Sequence, residues 1–518
     1  MRRTRIVFGL MAVVIVSLSA TSLHWYSKAA NGQRLFAQVA GIIDQRYIDS
    51  LGPSGLYERA AAGLVEQLHD PYSELMPPSD VQSFERTVGG RYGGIGATVE
   101  SRSGNRTFIT NVYPNTPAEQ GGVLEGDQII AVDGVSTVGW EMGRVTERTR
   151  GEAGTKVNVT FQREGVPKPI TLTITRAIVH IPAVPFAFMI EPGMGYVPLQ
   201  TFNETSAQEV TDAVMRLRKE GATRFILDMR NNGGGILQQA LAVSSLFLKP
   251  HQPIVTVRTR TGIADVDSAE GPRLDGDFPL VVLTDEGSAS ATEIVAGALQ
   301  DHDRALVVGA RSFGKGLVQQ TFDLDSGYLL KVTIAKWFTP NGRSIHRERT
   351  LTPDGRLVET PVDTVKNPLP RFKSDAGRTL VGGGGIIPDL TVAEDTIPTP
   401  EQDFLRATAG QAGVLIGALQ EVAAKEKGVV KPDFTVRPEW VAEVGRKLDS
   451  AGVKVDDRLK SARNAVLTRE LDRRVARMAF GDSGQARREV KLDHQLVRAI
   501  ELLRSSSTQA ALLASIKH

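Results

Sequence analysis

"FPLVVLTDEGSASATEIVAGALQDHDRALVVGA", residues Phe278 to Ala310, decides the fold class. Its two ends, Phe278–Asp285 and Arg304–Ala310, are continuous apolar runs, as strands buried on both faces require. Between them Ile294, Val295, Ala298 and Leu299 share one side of a helical wheel. "TRFILDM" (Thr223–Met229) is a third such run, so residues from Phe186 to about Val392 read as α/β. The helix begins among Ser288, Ser290 and Thr292, with Glu293 in its first turn. One helix cap needs one hydroxyl. Here two serines alternate with alanines just past a strand's carboxyl end, the edge where open α/β sheets bind ligands. A serine in that place is either a cap or a nucleophile with helix N-terminal amides beside it, able to stabilise an oxyanion.

Downstream, "VVGARSFGKGLVQ" (Val307–Gln319) has Gly309, four residues, then Gly314-Lys315-Gly316. A phosphate-binding loop would need Ser or Thr at position 316 and then a helix. Gly316 is followed instead by "LVQQTFDLDSGYLLKVTIAKWF", which alternates like sheet, so nucleotide binding is disfavoured. A lysine in a glycine turn is ordinarily a solvated charge; against that, Phe313, the flanking glycines and the buried strand before them place Lys315 close to the core.

Upstream, "RYGGIGATVE", "RTFITNVYPNTPAEQGGVLEGDQIIAVDGV" and "TKVNVTFQREG" are short alternating strands separated by glycine turns, with Pro117-Ala118 opening a short helix. From Glu85 to His180 this run resembles a PDZ domain. Gly94, Ile95, Gly96 and Ala97 sit where that family has its carboxylate-binding loop, and "LEGDQIIAVDGV" (Leu124–Val135) matches a second element. Small residues there let successive backbone N–H groups point at one terminal carboxylate, and Ala97–Val99 offers a strand edge to an extended peptide.

The whole resembles the carboxyl-terminal processing proteases, PDZ-containing serine peptidases of family S41 with a Ser-Lys dyad. "GSASATEIVAGALQDHDRALVVGARSFGKGLVQ" (Gly287–Gln319), "LDMRNNGGG" (Leu227–Gly235), "FTPNGRSI" (Phe338–Ile345) and "GGGGIIPD" (Gly382–Asp389) carry the likeness in the family's order. The resemblance implies Ser290 as nucleophile, Lys315 as general base and Gln319 as the residue orienting it. Backbone of Gly234 and Ala291 would supply oxyanion donors. Gly233 stands where many relatives have proline, and Thr292 where serine is common. The implied architecture is multidomain α/β. It comprises an N-terminal helical region (31–84), a PDZ domain (85–182), a ClpP/crotonase-like protease core (183–398) and a C-terminal helical region (399–518).

Composition bounds the alternatives. The chain has 518 residues, a net charge of +2 and no cysteine, which gives no electrostatic case for nucleic acid and removes thiolate chemistry. No cofactor and no metal are inferred, since metal-ligand spacings such as HExxH are absent. Arg2, Arg3 and Arg5 precede the uncharged Ile6–Leu23, so residues 1–25 read as a cleaved signal peptide or a retained anchor. Everything after them is then extracytoplasmic, in the periplasm or cell envelope, with membrane contact only through that segment. His302, between Asp301 and Asp303, tempts a triad reading but falls at the far end of the helix, where a cationic histidine is ordinary. After Thr399-Pro400, stripes at helical spacing read as an amphipathic bundle packed on the core, or else as a substrate clamp or dimerisation arm. The expected partners are protein or peptide substrates with a free C-terminus, with room for an adaptor or activator protein and a homo-oligomer. A catalytically silent PDZ scaffold is the competing reading.

Overall fold

The computed structural model describes residues 30–49, 51–102, 105–163, 166–274, 276–352, 354, 356–360, 368–453 and 456–516. The apolar segment at residues 6–23 lies outside them. Among the described residues no helix is long and apolar enough to cross a membrane. The chain divides into two compact units. One holds the described residues up to Pro78 with Gln319–Thr333 and Thr350–Leu357; the other holds the rest.

In the first unit, the N-terminal helical region expected over 31–84 begins with two helices, 30–46 and Gly52–Glu66. Glu74–Met76 then pairs antiparallel with Leu329–Lys331. Pro78 opens a further helix, Pro78–Gly89, which runs past the expected end of the N-terminal helical region at residue 84. Proline suits the first helical turn, where its missing N–H is not needed. The PDZ strands therefore begin at Arg91, after residues 85–89 have been spent on helix.

The PDZ sheet runs in the order Ala97–Arg102, Arg106–Val112, Gln128–Val132, Lys156–Gln162, Ile170–Thr175. Ala97–Arg102 is thus an edge strand. The helix Met142–Thr149 packs against it through the same core, which gathers Ile95, Ile109, Val145 and Phe161.

The α/β core is a six-stranded sheet. Phe188–Glu191 pairs antiparallel with Met194–Pro198. Arg224–Asp228, Leu280–Thr284, Leu306–Gly309 and Leu390–Thr391 then follow in parallel. Alternate side chains divide between two faces. Phe225, Leu227, Leu280, Val282 and Val307 meet the helices Ser206–Lys219, Leu237–Ser245 and Ala291–Asp301. Ile226, Val281, Leu283, Leu306 and Val308 meet Leu496, Ala499, Ile500, Leu503 and Leu512. Those last residues belong to His494–Arg504 and Gln509–Ala514. The region drawn as one C-terminal helical segment, 399–518, is therefore two things. Its end completes the sheet's second layer, while Thr399–Thr408, Ala412–Glu426, Pro438–Ser450 and Lys460–Glu489 share a core of their own around Leu419, Trp440 and Leu467.

Candidate active site

The run Leu280–Thr284 ends at Asp285, and the chain turns sharply before Ala291–Asp301 begins. Asp285 organises the turn by accepting the N–H of Asn231 at 2.8 Å and the Ser288 hydroxyl at 3.0 Å. Ser288 is fully buried and also donates to the Met229 carbonyl at 2.9 Å. Its hydroxyl is consumed by structure. Ser290 differs. It is half-buried and adopts φ 57°, ψ −115°, a conformation that costs a non-glycine residue of order 1–3 kcal/mol and clusters at active sites. The helix's first bonds go to its backbone carbonyl, from Glu293 N–H at 2.8 Å and Ile294 N–H at 3.0 Å.

The glycine motif passes directly against this turn. Asn232, fully buried, receives the Ala289 N–H at 3.0 Å and the Thr292 hydroxyl at 2.8 Å on its carbonyl. Gly234 has φ +96°, and a Cβ there would lie 2.9 Å from both Ser290 Cβ and Ala291 N, so only glycine fits. Gly234 is beside Ser290 as expected, but its N–H donates to Asn232 Oδ1 at 2.9 Å. No acceptor among the described residues takes the Ala291 N–H at the helix N-terminus.

Lys315 is half-buried between buried Gly314 and Gly316. No helix follows it. Leu317–Asp323 is a strand, which removes the phosphate-loop geometry. The Lys315 and Gly316 carbonyls accept Trp337 Nε1–H at 3.1 Å and Trp337 N–H at 3.0 Å. Two links sew the lysine loop to the serine turn. Phe313 N–H donates to the Ser288 carbonyl at 2.9 Å. Glu293 Oε2 accepts both the Ser290 N–H and the Lys315 N–H, each at 2.8 Å. Arg311, Arg347 and Arg349 gather behind Phe313, with Arg349 stacked 3.6 Å from the Phe313 ring centre. Burial first, then Arg311 and Arg349, bring the Arg347 guanidinium down to about 10. Gln319 sits on the strand, its amide nitrogen 3.4 Å from Thr333 Oγ1.

His302 ends the helix begun at Ala291 and meets Asp375 Oδ2 at 2.8 Å and the Pro253 carbonyl at 2.7 Å. Asp301 is paired with Arg343 and Asp303 with Arg378. Neither neighbouring carboxylate serves the histidine. Among the described residues no group of three or more His, Asp or Glu side chains could hold a metal ion.

In the PDZ domain Gly96 has φ +90°, and a Cβ there would strike Thr116 at 2.3 Å. The Gly96 carbonyl accepts Tyr113 N–H at 3.0 Å and the Ile95 carbonyl Ala118 N–H at 2.7 Å. Tyr92 lies under the loop, its hydroxyl at the Ala97 N–H. Burial and then Tyr113 push it up to about 12.

This arrangement defines a serine-type peptidase that carries a PDZ domain. A model of peptidase family S41 matches residues 193–357 and a PDZ-domain model matches residues 108–163. The chain is 34% identical over 357 residues to the carboxy-terminal processing protease CtpA of Bacillus subtilis (strain 168), spanning 67% of this chain and 76% of that relative. A probable CtpA-like serine protease of Staphylococcus saprophyticus is 32% identical over 368 residues, 70% of this chain and 74% of its own length. Among solved structures, the photosystem II D1 C-terminal processing protease aligns at 29% identity over 70% of this chain and 93% of that one, with a TM-score of 0.38. The chain belongs to the carboxy-terminal processing protease family.

Two contributors escaped the sequence. Glu293 was visible only as a first-turn acid, and Asn232 only as a letter in a glycine motif. A buried carboxylate that serves two loops leaves no periodic trace.

Proposed function

We propose that the protein is an exported endopeptidase that cleaves through Ser290 and Lys315 and engages substrate tails through its PDZ loop. The observation that carries this reading is Ser290 itself: a strained residue at a helix N-terminus, tied by one carboxylate to the loop of Lys315. The Ser290 oxygen attacks the scissile carbonyl carbon while its proton passes to the Lys315 amine. The carbonyl oxygen becomes an oxyanion, for which the Ala291 N–H is the readiest donor; Gly234 joins it only by releasing Asn232. Collapse breaks the C–N bond, the lysine returns the proton to the leaving amine, and water hydrolyses the acyl-enzyme by the same route.

This needs a neutral amine. An ordinary lysine, near 10.4, is uncharged in roughly one molecule in 2,500 at pH 7, and work near neutrality needs about 7 to 8. Lys315 is half-buried between two buried glycines, and burial disfavours the charged form of an amine. Gln319 orienting the amine, and Gly94 to Ala97 holding a terminal carboxylate, complete the proposal. The uncharged run at residues 6–23 supports export.

Ser290→Ala is the test. It should fold and bind peptides normally yet lose on the order of 10⁶ in rate on an unfolded test protein. Retention of a tenth of wild-type activity would remove Ser290 from the mechanism, and an inactive wild type would favour the silent scaffold.

A further inference from the structure

We propose that Glu293 is a positioning residue that sets the spacing between nucleophile and base, an inference that rests on Ser290 and Lys315 being the reacting pair. In an ordinary capping box the glutamate at the third helical position reaches back to one N–H and has finished. Glu293 does that for Ser290, and then goes further. The same oxygen, Oε2, receives the Lys315 N–H from a loop far along the chain, both bonds measuring 2.8 Å. Its other oxygen holds the neighbouring residues of that loop, accepting Gly314 N–H at 2.6 Å and the Ser312 hydroxyl at 2.5 Å. The Ser290 and Lys315 nitrogens are therefore held within twice one hydrogen-bond length of each other.

Four donors converge on one fully buried side chain. An ionised carboxylate is acceptor-only and can satisfy all four; a protonated one would turn an O–H toward a donor and lose a bond. Burial raises the Glu293 carboxyl above the ordinary carboxylate range, and the Ser312, Lys315, Ser290 and Gly314 bonds pull it part of the way back. Its seat in the first turn of a helix also favours the anion. Helix capping alone explains one of the four bonds. The other three all fix Ser312–Lys315, the segment that carries the base.

The role is positional, so it should be read in kcat. Glu293→Asp keeps the charge and shortens the reach. Glu293→Gln keeps the reach but turns an NH₂ toward N–H donors. Ser312→Ala removes one bond to the same carboxylate and leaves the Ser290–Lys315 bridge intact. We would measure kcat and KM on a free-acid peptide substrate and the melting temperature for all three in the full chain, with Ser290→Ala alongside. A misplacement of about 1 Å can cost 10²-fold. Both Glu293 variants should therefore lose roughly that in kcat with KM within about threefold, and Ser312→Ala should keep kcat within about threefold despite a lowered melting temperature. If Glu293→Gln does not fold, Glu293→Asp decides. The proposal is overturned if either folded Glu293 variant keeps kcat within about threefold of wild type. It is also overturned if Ser312→Ala falls as far as the Glu293 variants, or if neither Glu293 variant folds, because a purely structural carboxylate then accounts for everything. An active Ser290→Ala would instead mark failure of the Ser-Lys reading itself.

Discussion

Ser288 and Ser290 are two residues apart and look alike in sequence, yet the fold gives them opposite work. The Ser288 hydroxyl is locked between Met229 and Asp285, whereas Ser290 is half-buried and carries backbone strain at the start of its helix. Removing a buried hydroxyl that leaves partners unsatisfied costs about 1–3 kcal/mol. Ser288→Ala should therefore lower stability by that amount in urea unfolding while keeping activity wherever it remains folded. Loss of activity at full stability would reverse the assignment. The alternation of serine with alanine marked the turn in sequence but could not say which hydroxyl is locked into structure, because that depends on where Asp285 and Met229 sit in the fold. Lys315 was easier to single out: glycines on both sides and sheet after it leave little else. Gly234 was legible as a close approach to Ser290, but not the capture of its N–H by Asn232.

At the scale of elements, the helix Ala291–Asp301 is buried along its whole length. In sequence, four apolar residues on one face marked it as a helix without showing how deeply it is buried. Buried Asp301 answers for the polar end, paired with Arg343, which is itself fully buried. Breaking a buried pair from one side costs about 3–5 kcal/mol. Asp301→Ala should lose that in urea unfolding although it sits a helix length from Ser290, and a loss under 1 kcal/mol would contradict the burial. The PDZ edge strand makes a separate prediction. If the loop at Gly94 to Ala97 holds a carboxylate, peptides ending in a free acid should bind well above their amidated forms. Gly96→Val should abolish the difference because its Cβ collides with Thr116 and displaces the loop. Equal affinity for acid and amide would refute carboxylate capture. The helix Pro78–Gly89 was missed because a proline reads alike as the stop of one helix and the start of the next.

For the molecule as a whole, three continuous apolar runs announced strands covered on both faces, but nothing in them named the cover. The helices His494–Arg504 and Gln509–Ala514 have the same amphipathic stripe whether they pack on a sheet or on other helices, so their place was not readable. Arg230, next to the glycine motif, adds a polar seam by pairing with Asp493 at the start of that cover. Removing residues 494–518 should expose Val281, Leu283, Leu306 and Val308 and leave a chain that aggregates and does not cleave, checked by light scattering and turnover. A soluble, active truncation would show those helices to be an appendage.

Lys315 as a neutral base is tested most directly by kcat/KM against pH for the wild type and for Lys315→Arg. In the wild type, kcat/KM should rise as the amine loses its proton, centre well below 10 because burial disfavours the charged form, and then level off. Lys315→Arg should be nearly inactive throughout, since a guanidinium does not deprotonate in this range. An arginine variant that keeps a tenth or more of wild-type kcat/KM would contradict the Ser-Lys mechanism.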